Sequence, residues 1–327
     1  MKKVKILVTG AGAVLGQGII KSLLNSSLDL EIVAVDPSPL AVGLYWTDKK
    51  YLIPLAKAPN YLESICKILE LERPDMVMVG TDVELKTFAK NRDFLEKNYA
   101  TKVLVSPSNV IAIADDKYLT YKFLLEGSLP APISCLPGNE LELIEKTGFP
   151  LIVKPRVGAR SIGVSKVNNH KELDFALQNC ENPIIQECIG TDDTEFTAGA
   201  LCFDDVCRAT IVMKRDLRDG NTYRAYTGAY DHLSEQIENM TNILKPYGPV
   251  NYQFREVNGV AKVFEINGRF SGTTPFRAKA GFNEVEMCIR HIVLGEKVAQ
   301  PQIEELVLLR YLDEISLKKS DLLESTT

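Results

Sequence analysis

The chain has 327 residues, 45% of them apolar, and a formal net charge of −5. That length suits two or three packed units rather than one small core, and the acidic balance argues against nonspecific nucleic-acid or membrane-surface binding, both of which need a basic face. Met1-Lys2-Lys3 runs into an apolar strand without a signal-peptide layout, and no apolar stretch approaches the ~20 residues of a membrane span, so a cytoplasmic protein is expected.

From residue 1 to about 110, strands and helices alternate: Lys5 to Thr9, a helix from Val14 to Asn25, Glu31 to Asp36, a helix at Tyr61 to Glu70, Asp75 to Val79, a helix at Val83 to Lys97, and Lys102 to Val105. Such alternation reads as a parallel sheet with helices on both faces. A helix over Asp115 to Glu126 follows, ending at Gly127, and Leu129-Pro130-Ala131-Pro132 breaks the chain. Leu151 to Lys154, a glycine-containing loop, a helix at Lys171 to Asn179 and Ile184 to Glu187 make a small α/β unit. From about Thr194 the strands lengthen and take antiparallel character: Glu195 to Phe203, Val206 to Lys214, and the two runs on either side of Asn258-Gly259. A helix at Glu284 to Leu294 and a partly apolar tail complete the chain.

The seven cysteines (Cys66, Cys135, Cys180, Cys188, Cys202, Cys207, Cys288) include no Cys-x-x-Cys pair and read as reduced thiols. His170, His232 and His291 lack zinc spacing, which also argues against a Ser-His-Asp hydrolase.

The most informative residues are Gln253, Glu265, Asn267 and Arg269. Glu265 and Asn267 are two apart, so on a strand they share a face and can share one cation. A two-residue loop at Asn258-Gly259 would set Gln253 opposite Phe264 and turn it away from the carboxylate. A shared metal therefore requires an odd loop or a bulge that puts Gln253 opposite Glu265. An ordinary hairpin with a solvated outer face would carry the same residues.

Two nucleotide readings compete. In the first, Gly10, Gly12, Gly16 and Gly18 after the first strand, with Asp36 ending the second, form a dinucleotide turn, and Ser106, Tyr118 and Lys122 match the catalytic spacing of short-chain dehydrogenases. In the second, Lys154 ends a buried strand beside the loop Arg156 to Val164, whose N–H groups can fold over a triphosphate. Glu187 closes an apolar strand where an adenine edge can be read, and Glu195 can accept from ribose hydroxyls, although both also suit solvated strand ends. The basic segment Lys214 to Arg224 offers Arg215, Arg218 and Arg224 to an anionic substrate or to solvent.

Taken in order, Lys117, Lys154, the loop, Glu187, Glu195, Gln253, Glu265, Asn267 and Arg269 resemble the ATP-grasp superfamily, and within it the single-copy proteins similar to the carbamoyl phosphate synthetase large subunit. Asn91-Arg92-Asp93, Asp116-Lys117 and Arg277 to Gly281 add to the likeness. The resemblance implies a mixed α/β and α+β chain: a doubly wound pre-ATP-grasp domain (1–112), a small lobe with a phosphate-covering loop (113–193), an antiparallel lobe with a metal site (194–302) and a C-terminal tail (303–327). It further implies that Lys117 and Lys154 contact ATP phosphates under a loop that includes Gly158, Ser161 and Gly163. Glu187 and the Ile189 backbone would hold adenine, and Glu195 ribose. Gln253, Glu265 and Asn267 would ligate Mg²⁺, with Mn²⁺ as its substitute. Arg269 would hold a substrate carboxylate and the acyl phosphate made from it, and with Lys154 would carry the chemistry. The implied activity is a carboxylate–amine ligase acting on small molecules, with a homo-oligomer left open.

Two departures stand out. Gly268 replaces a common Pro, and Arg160 replaces a small loop residue. A single ATP-grasp half argues against carbamoyl phosphate synthesis itself.

Overall fold

In the computed structural model, which describes residues 3–47, 49–158 and 161–323, the first hundred residues close into a five-stranded sheet. The strands β1 (Val4–Val8), β2 (Leu30–Asp36), β3 (Lys49–Leu52), β4 (Met76–Met78) and β5 (Lys102–Leu104) lie all parallel in the order β3-β2-β1-β4-β5. Strand periodicity divides the core. Ile6 and Val8 pack toward α1 (Val14–Leu24) with Ile19, Ile20 and Leu23. Leu7, Val33 and Val35 face α2 (Tyr61–Glu72) and α3 (Asp82–Tyr99) with Ile65 and Phe88. β3 escapes the sequence reading because Lys49-Lys50-Tyr51-Leu52 has little apolar signal.

The glycine-rich turn has a packing explanation. A Cβ on Gly16 would lie 2.0 Å from the Gly10 carbonyl oxygen, and Gly10 itself has φ +58°. The Gly12 N–H donates to Asp36 at 2.7 Å.

A helix that the sequence reading did not include, α4 (Ser108–Asp115), precedes α5 (Lys117–Glu126), which is the helix expected over Asp115 to Glu126. Asp116 between them leaves helical geometry (φ −116°, ψ 113°), and its carboxylate accepts the Tyr118 and Leu119 N–H groups as an N-cap. Although α5 falls within the expected small lobe, its Leu124 and the Val110 side chain of α4 are buried with Tyr252, Phe254 and Ile266 of the large sheet.

A four-stranded antiparallel sheet follows, built from β6 (Ser134–Cys135), β7 (Leu151–Pro155), β8 (Ser165–Val167) and β9 (Pro183–Glu187) in the order β6-β9-β7-β8. The helices α6 (Glu140–Thr147) and α7 (His170–Asn179) cover it through Leu143 and Leu173.

The last unit is a six-stranded antiparallel sheet. Its strands are β10 (Glu195–Phe203), β11 (Val206–Arg218), β12 (Asn221–Tyr226), β13 (Gly248–Val257), β14 (Val260–Asn267) and β15 (Val307–Leu309), in the order β14-β13-β10-β11-β12-β15. On one face lies α8 (Asp231–Leu244), buried through Leu233, Ile237 and Met240. On the other, Leu201, Phe203, Ile211 and Met213 share a core with α1, with Phe276 of α9 (Thr274–Lys279) and with Val285 and Ile289 of α10 (Glu284–Ile292). The parallel and antiparallel sheets are thereby fixed to each other. Arg277 and Glu284, both wholly buried, pair at 3.1 Å beneath the sheet, and Arg277 also donates to Asn251.

Two expectations change here. The basic segment Lys214 to Arg224 is a hairpin, because Asp219 and Gly220 both take positive φ (51° and 71°) and join β11 to β12. The segment after residue 303 contributes an edge strand, β15, paired with β12. Among the described residues, no helix is long and apolar enough to cross a membrane.

Candidate active site

The hairpin of β13 and β14 has the geometry that a shared metal requires. Asn258 and Gly259 form a two-residue turn with φ +53° and +78°, and Val257 pairs with Val260. That register would have sent Glu265 out of step with Gln253. Phe264 is the extra residue: Phe254 faces Val263, Gln253 faces Glu265 and Asn251 faces Asn267. The bulge carries both Phe264 and Glu265 to the cavity between the two antiparallel sheets.

Gln253 Nε2 donates to Glu265 Oε1 at 3.2 Å, and Asn267 Nδ2 donates to the same oxygen at 3.1 Å. Each amide oxygen is held by an arginine: Arg215 donates to Gln253 at 2.7 Å, and Arg269 to Asn267 at 3.0 Å. The five side chains form a continuous string, Arg215-Gln253-Glu265-Asn267-Arg269. The donor set is one carboxylate and two amides, all oxygen-bearing, which fits Mg²⁺ held mainly by phosphates with a carboxylate or two from the protein. To offer oxygen beside Glu265, both amides must turn over, and the two arginines must then release them.

The cavity has a volume of about 470 Å³. Lys154, at the end of β7, is buried in its wall and donates to Gln186 at 2.9 Å, with its ammonium 5.2 Å from the centre of the Phe264 ring. Gln186 in turn donates to Ser134. Burial pushes the Lys154 ammonium down to about 8. Glu265 and Glu195 oppose that effect, and Lys117 adds to it.

Lys117 opens α5 and donates to the Gly158 carbonyl at 2.7 Å. Arg156 anchors the root of the same loop to Asp116, the α5 cap, at 2.5 Å. Ser161 lines the cavity and Gly163 does not; Arg160 lies outside the described residues.

Glu187 accepts from the Ile133 N–H at 3.1 Å and lies 3.4 Å from Lys262. Glu195 is gripped by two arginines, Arg215 at 2.9 Å and Arg255 at 3.1 Å. Arg255 also donates to the Ile189 carbonyl. Neither acid is a free strand-end carboxylate.

The structure therefore gathers Lys117, Lys154, Gly158, Ser161, Glu187, Ile189, Glu195, Arg215, Gln253 and Glu265 around one cavity. Asn267 and Arg269 continue from it through hydrogen bonds. Arg218 and Arg224 stand apart, their guanidiniums 5.2 Å and 5.6 Å from the Tyr223 ring.

Sequence reasoning missed three neighbours. Arg255 was readable, being two residues past Gln253 on the same strand face. Lys262, paired with Arg255 across the hairpin, is three residues before Glu265 and shares its face only through the bulge. Asp82, which accepts from Arg269 at 2.7 Å, comes from a distant segment and left no local signal.

The dehydrogenase reading loses its constellation. Ser106 is buried and accepts the Tyr247 N–H at 3.2 Å, whereas Tyr118 packs under Arg156.

A cavity between two antiparallel sheets, lined by Lys117 and Lys154 together with Gln253 and Glu265, fits an ATP-grasp fold. Residues 114–273 match the family described as "ATP-grasp domain", and residues 6–104 match "PylC-like, N-terminal domain". The chain thus carries an ATP-grasp domain over residues 114–273, preceded by a PylC-like N-terminal domain over residues 6–104.

Carbamoyl phosphate synthase large chain of Clostridium botulinum (strain Kyoto / Type A2) is 25% identical over 328 residues, covering 91% of this chain and 30% of that protein. The enzyme of the same name from Methanosarcina mazei is 24% identical over 85% of this chain and 28% of its own length. The chain thus spans under a third of these relatives. Among solved structures, N5-carboxyaminoimidazole synthetase from Staphylococcus aureus complexed with ADP has a TM-score of 0.74 at 16% identity, covering 95% of this chain and 83% of that one. The biotin carboxylase domain of Hydrogenobacter thermophilus 2-oxoglutarate carboxylase, with MgADP and bicarbonate, has a TM-score of 0.72 at 16% identity over 92% and 72%.

Proposed function

We propose that this chain is a cytoplasmic, ATP- and Mg²⁺-dependent ligase that converts a small carboxylate to an acyl phosphate and passes it to an amine or another nucleophile. The observation that carries this reading is the bulged register of Gln253 and Glu265, which sets oxygen ligands across one cavity from the buried Lys154. In-line phosphoryl transfer asks for charge neutralisation and alignment more than for a protein nucleophile, and this cavity offers both.

In this reading Lys154 and Lys117 hold the phosphates, with the loop from Gly158 to Gly163 over them. Glu187 and the Ile189 backbone take adenine, and Glu195 takes ribose, displacing Arg215 or Arg255 from one of its oxygens. Gln253, Glu265 and Asn267 would hold Mg²⁺, whose role is to neutralise the phosphate oxygens. Arg269 binds the substrate carboxylate. Arg215, released from Gln253, is the best-placed cation of its hairpin to reach the transferring phosphoryl group. The ADP in the Staphylococcus aureus structure and the MgADP in the Hydrogenobacter one support a nucleotide in this cavity.

The test is calorimetric titration with MgATP, followed by ADP release across a panel of carboxylates and amines. Carboxylate-dependent ADP release is the expected outcome. Absence of nucleotide binding would overturn the reading, and ATP binding with no ADP release under any pair would leave a nucleotide-binding module instead.

A further inference from the structure

β10 and β11 are joined by Asp204 and Asp205, both at positive φ (53° and 61°), with Phe203 paired to Val206 and Cys202 to Cys207, after which the ladder shifts by one residue at Arg208 so that Leu201 faces Ala209. In a two-residue hairpin the closing pair exchanges its backbone hydrogen bonds and the next pair exchanges none. Cys202 and Cys207 are that next pair. In keeping with this, the Cys207 N–H turns out of the ladder and donates to the Asn242 side chain at 2.7 Å. Partners of this kind bring their Cα atoms to about 4.5 Å, within the roughly 4.4–6.8 Å that a disulfide spans.

The side chains also face the same way. Cys207 is buried under α8 in the same core as Ala198 and Ala200, and Cys202 continues their alternation along β10. Cys202 is fully buried, whereas Cys207 lines a groove of about 640 Å³ beside α8, so a small oxidant has a route to one sulfur.

We propose that Cys202 and Cys207 are an oxidisable cross-strand dithiol, a modification site outside the nucleotide cavity, which a peroxide closes to a disulfide. The Cys207 thiolate attacks one peroxide oxygen. The O–O bond breaks, leaving a sulfenic acid and a hydroxide that departs as water with the thiol's proton. Cys202 then attacks the Cys207 sulfur, the S–O bond breaks, and a second water leaves with the Cys202 proton. Two thiols give up two electrons and two protons, and hydrogen peroxide is reduced to two waters.

Burial pushes Cys207 up to about 12 and Cys202 up to about 11. The charged and titratable groups facing the pair are Asp204, Asp205 and Arg208 at the turn, Glu238 and Lys245 from α8 and its end, and Tyr252 on β13. Only a small thiolate fraction exists near neutrality, so closure is slow there and accelerates about tenfold per pH unit from pH 7 to 9.

The experiment treats the folded wild-type chain with hydrogen peroxide, quenches in acid, alkylates the remaining thiols after unfolding, and digests with a protease that cuts before aspartate. Asp204 and Asp205 lie between the two cysteines, so their peptides separate unless a disulfide links them. The expected result is a linked peptide that reduction splits, formed faster with rising pH and lost in Cys207→Ser. Oxidation of Cys66 or Cys180 with no Cys202–Cys207 link would overturn the proposal. So would a link that forms only in urea, or one from either sulfur to another cysteine.

Discussion

Asp82, at the start of α3, accepts the Nε–H of Arg269 at 2.7 Å, joining the parallel-sheet unit to the last side chain of the oxygen-rich string, two residues past β14. Arg269 is nearly covered and Asp82 is half exposed. The pair holds the guanidinium in one orientation, with Nη2 on Asn267 and Nη1 on the Phe270 carbonyl. Partly exposed ion pairs of this kind add about 0.2–1 kcal/mol to stability. Asp82→Asn should therefore leave the urea midpoint almost unchanged and leave MgATP affinity intact, while carboxylate-dependent ADP release falls several-fold through KM. Equal losses in nucleotide affinity would show that Asp82 acts on the cavity as a whole.

Glu265→Gln replaces the one carboxylate of the string with a third amide. ADP release should fall by about 10²-fold or more, the scale on which removal of a key electrostatic contact slows catalysis. Fold stability should change little, because the glutamine keeps the shape and can still accept from Gln253 and Asn267. Calorimetry with ATP and increasing Mg²⁺ is the check: the variant should lose the Mg²⁺ dependence of nucleotide affinity. Retained dependence would remove Glu265 from the metal's ligands.

Lys154 gives a pH signature with a definite sign. Its folded value of about 8 lies below that of an unfolded lysine, about 10.4. Burial therefore disfavours its charged form, a penalty of about 3 kcal/mol at neutral pH that is relieved as pH rises from about 8 to about 10.4, where the unfolded chain holds more protons than the folded one. Across that window wild type should gain stability relative to Lys154→Met. Phosphate binding needs the ammonium, so ATP affinity should fall over the same range, approaching tenfold per pH unit above about 8. Lys154→Met should bind weakly with a flat profile. A wild-type affinity constant from pH 7 to 9.5 would refute the role.

The wholly buried pair of Arg277 and Glu284 should be costly to break from one side. Arg277→Met strands a carboxylate in the core and should destabilise the chain by about 3–5 kcal/mol, whereas Arg277→Met with Glu284→Gln should recover much of that loss. Gly199→Ala should also destabilise, since its Cβ would lie 2.4 Å from Arg277 Nη1. Urea unfolding of the three variants measures each effect. A mild Arg277→Met would mean that water reaches the pair.

Local order was largely legible in the sequence, and long-range contact was not. The alternation of Val4–Val8 and Leu30–Asp36 with helices announced the parallel sheet, and Asn258-Gly259 announced the hairpin. Asp219-Gly220 carried the same turn signal, yet its basic neighbours drew attention to charge instead. The helix at Asp231–Leu244 was equally readable from Leu233, Ile237, Met240 and Leu244. By contrast, nothing local marks Phe264 as the residue that leaves the ladder, because a bulge reflects the packing of both strands. Asp82 and Arg269 are 187 residues apart, so their contact exists only once two sheets have docked.

The bulge at Phe264 sets ladder regularity against site chemistry. At this chain length, a ladder running without interruption from Val257 and Val260 would be the more regular hairpin. It would set Gln253 opposite Phe264, rotate Glu265 and Asn267 into the apolar layer against α4 and α5 and turn Ile266 outward to the cavity. A slip of β14 by that one residue would therefore yield a paired hairpin that has lost its oxygen ligands, a defect that strand content alone would miss.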